Sequence, residues 1–414
     1  MLPPHALEQT IGRTVREEWG RILASLVKTV GDFQLAEDCL QDAVVAAMVH
    51  WRKNGLPAAP DAWLITAARR KAIDRLRRDR NFSLKRDSIS YALDLEQQLS
   101  DESEAGAIPD KRLEMVFTCC HPALEEKTCV ALTLRTLGGL TTDEIAGAFL
   151  DKPDAMAQRL ARAKKKIALA GIPYEIPDRS ALPERVSSVL GVIYLIFNEG
   201  YSASNGGSLT RGDLSSEAIR LARIIHRLLP QETEVSGLLA LMLLHDSRRF
   251  ARVNEQGAMV PLEHQNRQRW DRTKIAEGVS ILEAALPKRR LGPYQLQAAI
   301  SAVHAQSPSW AETDWLQVSL LYERLHAYQP SPVVRINQAV AVSYAQSLEA
   351  ALALLNEAAS NGKLDNYQPY FAAKADFLAR SGERAKAKDC LAAAIRLSGN
   401  DLERAFLESK AALL

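Results

Sequence analysis

The chain has 414 residues, 47% hydrophobic and 25% charged, enough for two or three domains with real cores. Lysine and arginine number 52 against 50 aspartates and glutamates, a net charge near +2. Bulk attraction to a polyanion is thereby excluded, and any nucleic-acid contact must come from local patches. Five cysteines (Cys39, Cys119, Cys120, Cys129 and Cys390) form no closely spaced even framework, which points to a reducing cytoplasm. The N-terminal stretch resembles neither a signal peptide nor a transit sequence. The longest apolar run, residues 189–197, is too short to span a bilayer, so no membrane segment is expected.

Alternating strand patterns are nearly absent and Ala, Leu, Arg and Glu dominate, so the expected fold class is all-α. Residues 10–80 read as three or four helices. Within them, residues 35–51 (LAEDCLQDAVVAAMVHW) place Glu37, Asp38, Gln41 and Asp42 opposite an apolar side. A short loop follows, from Arg52 through Asn54-Gly55 to Pro60. Pro60 and Asp61 then mark a helix start, with Asp61 expected as the cap. In PDAWLITAARRKAIDRLRRDR (residues 60–80), Trp63, Leu64, Ala67, Ala68, Ala72, Ile73 and Leu76 form one apolar stripe. Arg69, Arg70, Lys71, Arg75, Arg77, Arg78 and Arg80 crowd the rest. Like charges at i,i+4 repel, and a polyanion along that face would relieve the repulsion while releasing counterions. A solvated basic face is the alternative for this run taken alone.

Residues 81–108 read as an acidic, serine-containing linker without period. A second helical unit is expected over 109–171. In it, Thr141-Thr142-Asp143-Glu144 fits a capping box. After the turn Asp151-Lys152-Pro153-Asp154, with Asp154 expected as a cap, Met156, Leu160, Ala163 and Ile167 make a buried stripe. Gln158, Arg159, Arg162, Lys165 and Lys166 project outward. Short helix, tight turn and longer basic helix is the helix-turn-helix plan, whose second helix enters the major groove. Arg159 and Arg162 suit guanine or phosphate, and the lysines suit the backbone. An ordinary helical hairpin with a charged surface is the competing reading.

The boundary segment GIPYEIP (residues 171–177) precedes a run of helices over 172–414. There Ala351, Leu355 and Ala358 recur 36 residues later as Ala387, Leu391 and Ala394, the mark of a stacked helical repeat. Cys119-Cys120-His121 with Cys129 matches no common zinc spacing, and core packing is expected. Asn198-Glu199-Gly200-Tyr201-Ser202 suits a helix end, and His245-Asp246 lacks a third catalytic partner. No cofactor, metal site or enzymatic motif is found.

Together these segments resemble the extracytoplasmic-function (ECF) branch of the sigma-70 family. AEDCLQDAVVAAMVHW resembles region 2.2, DAWLITAARRKAIDRLRR regions 2.3–2.4, and residues 110–150 with MAQRLARAKKKI region 4. RVSSVLGVIYLIFNEGYSAS, LLALMLLHDSRR, LGPYQLQAAISAVHA and PSPVVRINQAVAV resemble the ECF group carrying a large extension with tetratricopeptide-like repeats. The resemblance implies that Glu37, Asp38, Gln41 and Asp42 face core RNA polymerase. It implies that Arg69, Arg70, Lys71, Arg75 and Arg78 face the −10 promoter DNA, with Asn54 near a flipped base. Gln158, Arg159, Arg162, Lys165 and Lys166 would face the −35 element. The implied function is promoter-directed transcription initiation, controlled by the extension through a regulatory protein or an intramolecular contact. A helix-turn-helix regulator fused to a tetratricopeptide-like scaffold is the alternative. A third class, an enzyme within 182–330, requires a deep polar pocket around Glu199 and His245.

Overall fold

Caps and breakers in the sequence set the helix ends of the first unit. The computed structural model describes residues 4–82, 111–149, 151–201, 212–255, 258–360, 364–399 and 401–414. The linker expected over 81–108 lies, from residue 83 on, outside them. The described residues are helical apart from turns and one bridge between Val253 and Met259, so the fold is all-α. Among them no helix is long and apolar enough to cross a membrane. The chain divides into two compact units, residues 1–193 and 194–414.

The first unit opens with α1 (Pro4–Val30), α2 (Phe33–Asn54) and α3 (Pro60–Phe82), each packed on the other two. Asp32 starts α2 by accepting from the Leu35 N–H at 2.7 Å, and Gly55 ends it at φ 82°, where a side chain would be strained. Trp51, Leu40 and Leu64 are fully buried between α2 and α3, each contributing about 1.5–3 kcal/mol by leaving water. Asp61 is not the cap expected of it. α3 already begins at Pro60, which puts Asp61 in the first turn, where its carboxylate meets Arg21 at 3.5 Å.

Next come α4 (Arg112–Cys119), α5 (Glu126–Thr136), α6 (Thr142–Ala148) and α7 (Pro153–Leu169). The capping box forms: Thr141 accepts from the Glu144 N–H while Glu144 accepts from the Thr141 N–H. Asp154 does not cap α7, because Pro153 takes the first helical position and Lys152 becomes the cap residue. The expected stripe Met156, Leu160, Ala163 and Ile167 is buried. Cys119 and Cys120 hydrogen-bond Thr136 and Thr133, and burial pushes Cys119 up to about 12 and Cys129 to about 11. These are protonated core side chains. The GIPYEIP segment does not leave the first unit: Tyr174 donates to Ala24 O at 2.8 Å and stacks edge-on against Phe33.

α8 (Leu182–Tyr201) follows, then the second unit's α9 (Gly212–Leu228) and α10 (Thr233–Asp246). α10 is buried on nearly every side, as a helix with apolar residues all round must be. After three 3₁₀ turns come α11 (Arg272–Ala285), α12 (Pro293–Gln306), α13 (Trp315–Tyr328), α14 (Pro332–Ala345), α15 (Leu348–Ala359), α16 (Gln368–Arg380), α17 (Arg384–Leu397) and α18 (Asp401–Ala412). Most pack chiefly on their chain neighbours, while α10 and α12 pack chiefly on each other, so the core runs as a string of local clusters. The triplets Ala351/Leu355/Ala358 and Ala387/Leu391/Ala394 occupy the buried faces of α15 and α17.

Candidate nucleic-acid interface

A helix turns 100° per residue, and that geometry sorts the cations of α3 into different environments. Ile65, Ala68, Arg69 and Ala72 share its most buried line, leaving Arg69 only 6% exposed with a hydrogen bond to Ser25 Oγ at 3.3 Å. Arg69 was expected on the outward face and is instead an interior side chain. Arg75 lies at the edge, paired with Asp42 at 2.7 Å and Asp38 at 3.4 Å. Arg70 is exposed and Lys71 half-buried. The side chain of Arg78 lies outside the described residues. At the α2–α3 junction, Asn54 is exposed and hydrogen-bonds the His50 ring. That ring stacks on Trp63 at 5.5 Å, and Trp63 packs edge-on to Trp51. An aromatic platform thus stands beside Asn54.

The four α2 residues expected to face a partner are also divided. Glu37 is 3% exposed, on the buried line with Phe33 and Leu40. Its Oε1 accepts from Arg135 Nε at 2.7 Å and from Arg135 Nη2, and its Oε2 accepts from Lys164 at 2.5 Å. Burial works to raise the carboxyl's pKa. The charges and hydrogen bonds of Lys164 and Arg135 outweigh it and hold Glu37 below the usual range. Gln41 is exposed and donates to Glu37 at 3.2 Å, while Asp38 and Asp42 hold Arg75. Outward on α2 stand apolar residues instead: Val45 is 61% and Val49 69% exposed, with Met48 between them in the sequence. Spaced i, i+3, i+4, they form a second stripe that the sequence carries in plain view.

On α7, Gln158, Arg162, Lys165 and Lys166 are exposed. Arg162 Nε bonds Gln158 O, Lys166 reaches Ala123 O, and Arg159 pairs with Asp151 at 2.9 Å. The face is cationic and open to solvent, with Met156 and Leu160 anchoring it from beneath. A cleft of about 780 Å³ beside α7 is lined by Lys28, Gln34, Lys164, Lys165 and Tyr174.

His245 and Asp246 do not form a pair. His245 stacks on Tyr201 and bonds Ser301 Oγ at 3.0 Å. Asp246 is buried against Arg249 and Lys274, both within 2.7 Å. The 600 Å³ groove over α11–α13 involves neither residue.

Residues 15–82 match the sigma-70 region 2 family, and residues 185–286 match a family of unknown function, DUF6596. An uncharacterized protein of Rhizobium meliloti (strain 1021), R00370, is 41% identical over 387 residues, spanning 93% of this chain and 91% of that protein. The region 2 match covers α2, α3 and most of α1, the helices that carry the aromatic platform and the exposed apolar stripe. By these matches the chain belongs to one family with the Rhizobium protein, and its residues 15–82 match region 2 of the sigma-70 family of transcription initiation factors.

Proposed function

We propose that the chain is an ECF-type sigma factor that directs core polymerase to −35/−10 promoters under the control of its own C-terminal extension. The carrying observation is that one unit holds a region 2 match, whose α3 presents Arg70 to solvent with Lys71 half-buried, and downstream of it the cationic, solvent-facing α7. α7 with α6 acts as a helix-turn-helix: Gln158, Arg159 and Arg162 read the −35 bases, and Lys165 and Lys166 hold phosphates. Arg70 and Lys71 contact −10 DNA, while Asn54 and the His50–Trp63 stack receive an unstacked base. Val45, Met48 and Val49, flanked by Asp38, Gln41 and Asp42, dock on the polymerase as an apolar patch with a polar rim. The buried repeat triplets of α15 and α17 support a tetratricopeptide-like extension that acts through a regulatory protein or a contact within the chain. The reading places the protein in the cytoplasm.

In vitro transcription with added core enzyme tests it. The full chain is expected to co-elute with core and to start RNA at a defined promoter. Specific duplex binding without any effect on polymerase would favour the helix-turn-helix regulator instead. Within this scheme Arg159→Ala is expected to weaken −35 dependence by about 1–3 kcal/mol while core binding is unchanged. Equal promoter use by variant and wild type would remove Arg159 from the base-reading set.

A further inference from the structure

Three arginines of the second unit stand together with no acid paired to them. Arg248 and Arg252 flank the 3₁₀ turn Arg249–Ala251, and Arg267 begins another. The first two both rest on Tyr201, at the end of α8. Arg248 donates to its Oη at 3.0 Å, while the Arg252 guanidinium lies 3.8 Å over its ring and donates to its backbone carbonyl. Arg248 and Arg267 share the Trp270 ring, at 6.0 and 4.8 Å. His245 of α10 stacks on Tyr201 at 5.3 Å.

Partly buried charges are ordinarily paired, as Asp246 is with Arg249 and Lys274. Among the described residues no carboxylate comes within ion-pair reach of Arg248, Arg252 or Arg267. The other second-unit residues, 202–211, 256–257, 361–363 and 400, include no Asp or Glu. Glu403 and Glu312 act on Arg252 and Arg267 only from farther off. Burial lowers the pKa values of His245, His304, Arg252 and Arg267, and in all four Arg248 is the foremost neighbouring charge adding to it. Repulsion of this kind costs the fold stability and is met most often at binding sites.

The hydrogen bonds leave capacity to spare. Each guanidinium carries five N–H donors. Arg267 turns Nη1 onto the His304 and Ser307 carbonyls at the end of α12, so it is a fixed charge. Arg248 and Arg252 each give one nitrogen to Tyr201, and their other nitrogens are neither bonded within the described residues nor sealed from solvent. Trp270, 3% exposed beside Arg248 and Arg267, has an indole N–H without a partner.

We propose that Arg248 and Arg252 bind an oxyanion, the phosphate or carboxylate group of a small molecule, with Tyr201 as platform and Arg267 reinforcing the field. Guanidinium forks match the paired oxygens of such a group, and the charge-assisted bonds are roughly twice as strong as neutral ones. The three arginines and His245 are half-buried, which suits a small group and excludes a duplex. The site stands independently of the sigma-factor reading.

Calorimetric titration of the full chain at fixed ionic strength tests it, with inorganic phosphate, pyrophosphate and citrate in separate runs. Saturable binding of at least one, at one site per chain, is expected. Binding of the phosphates alone assigns a phosphate ligand, and of citrate alone a carboxylate ligand. Truncating one partner of a charge-assisted contact is costly, so Arg248→Gln is expected to weaken binding at least about tenfold. Arg223→Gln makes the same charge change at an exposed residue paired with Glu277, and is expected to bind as wild type does. Because Arg248 repels its neighbours, the unliganded Arg248→Gln chain is expected to unfold at the wild-type urea midpoint or above it. Should it fail to fold, Arg248→Lys keeps the charge, loses the fork and is expected to weaken binding several-fold. Three titrations without saturable binding, or equal losses in the Arg248 and Arg223 variants, would overturn the site. Lost binding with a lowered unliganded midpoint would make Arg248 a structural strut and overturn it as well.

Discussion

Acidification from pH 7 to pH 5 is expected to remove about 3–4 kcal/mol of stability from the second unit, through two histidines. Burial drives the His245 imidazole down to about 3, with the charges of Arg248, Arg252 and His304 adding to the effect. Burial likewise drives His304 to about 4, helped by Arg248 and Arg267. Both rings are locked in place. His245 lies against Tyr201 and Phe197, and His304 lies between Trp310 and Trp315. Their folded pKa values fall below the ordinary 6.5, so between these limits the unfolded chain binds more protons. The contribution is complete above about pH 6.5 and is lost as pH falls towards 4, at about 1.4 kcal/mol per pH unit for each ring. Ordinary carboxylates titrate lower and add little in this window. The measurement is the urea midpoint of the second unit, read by hydrogen exchange of the α10 amides at the two pH values. His245→Gln, which retains a partner for Ser301, should roughly halve the loss. A midpoint indifferent to pH would mean that both rings are open to water in the folded state.

Local rules carried most of the architecture. The Thr141–Glu144 box, the stripe of α7 and the all-apolar α10 follow from residues within one or two turns of each other, and the fold obeys them. The site is less legible, because charge is a poor proxy for exposure on these helices. Arg69 stands four residues after Ile65 and three before Ala72, on the most buried line of α3. Glu37 stands four residues after Phe33 in the same relation on α2. Spacing alone would have placed both inside. What spacing could not supply was the partner: Ser25 lies 44 residues from Arg69, and Arg135 and Lys164 lie 98 and 127 residues from Glu37. The converse holds for Val45 and Val49, which are apolar and yet stand exposed on α2. An apolar residue off the stripe is the stronger signal, since it marks a surface kept apolar with no cover among the described residues.

Gly237→Ala is expected to destabilise the second unit by about 3 kcal/mol, against the usual effect of alanine in a helix. In an open helix the exchange would stabilise by about 1 kcal/mol, because glycine loses more backbone freedom on folding. Gly191 of α8 is such a site, with nothing within 4 Å of an added Cβ, and Gly191→Ala should give that gain. At Gly237 the added carbon would lie 2.6 Å from the backbone nitrogen of Gln295 and 3.0 Å from its Cα. A backbone cannot rotate aside, so the start of α12 must move away from α10. That start depends on α10 for its cap. Gly292 at the cap position has no side chain, and Glu234 substitutes by accepting from the Tyr294 and Gln295 N–H groups at 2.9 and 3.1 Å. Moving α12 therefore adds a lost cap, about 1 kcal/mol, to the overpacking strain, and together they exceed the propensity gain. Urea unfolding of the two variants beside wild type reads opposite signs from one substitution type. Equal or greater stability for Gly237→Ala would mean that α10 and α12 are not in backbone contact, and the tightest helix pair of the second unit would have to be drawn differently.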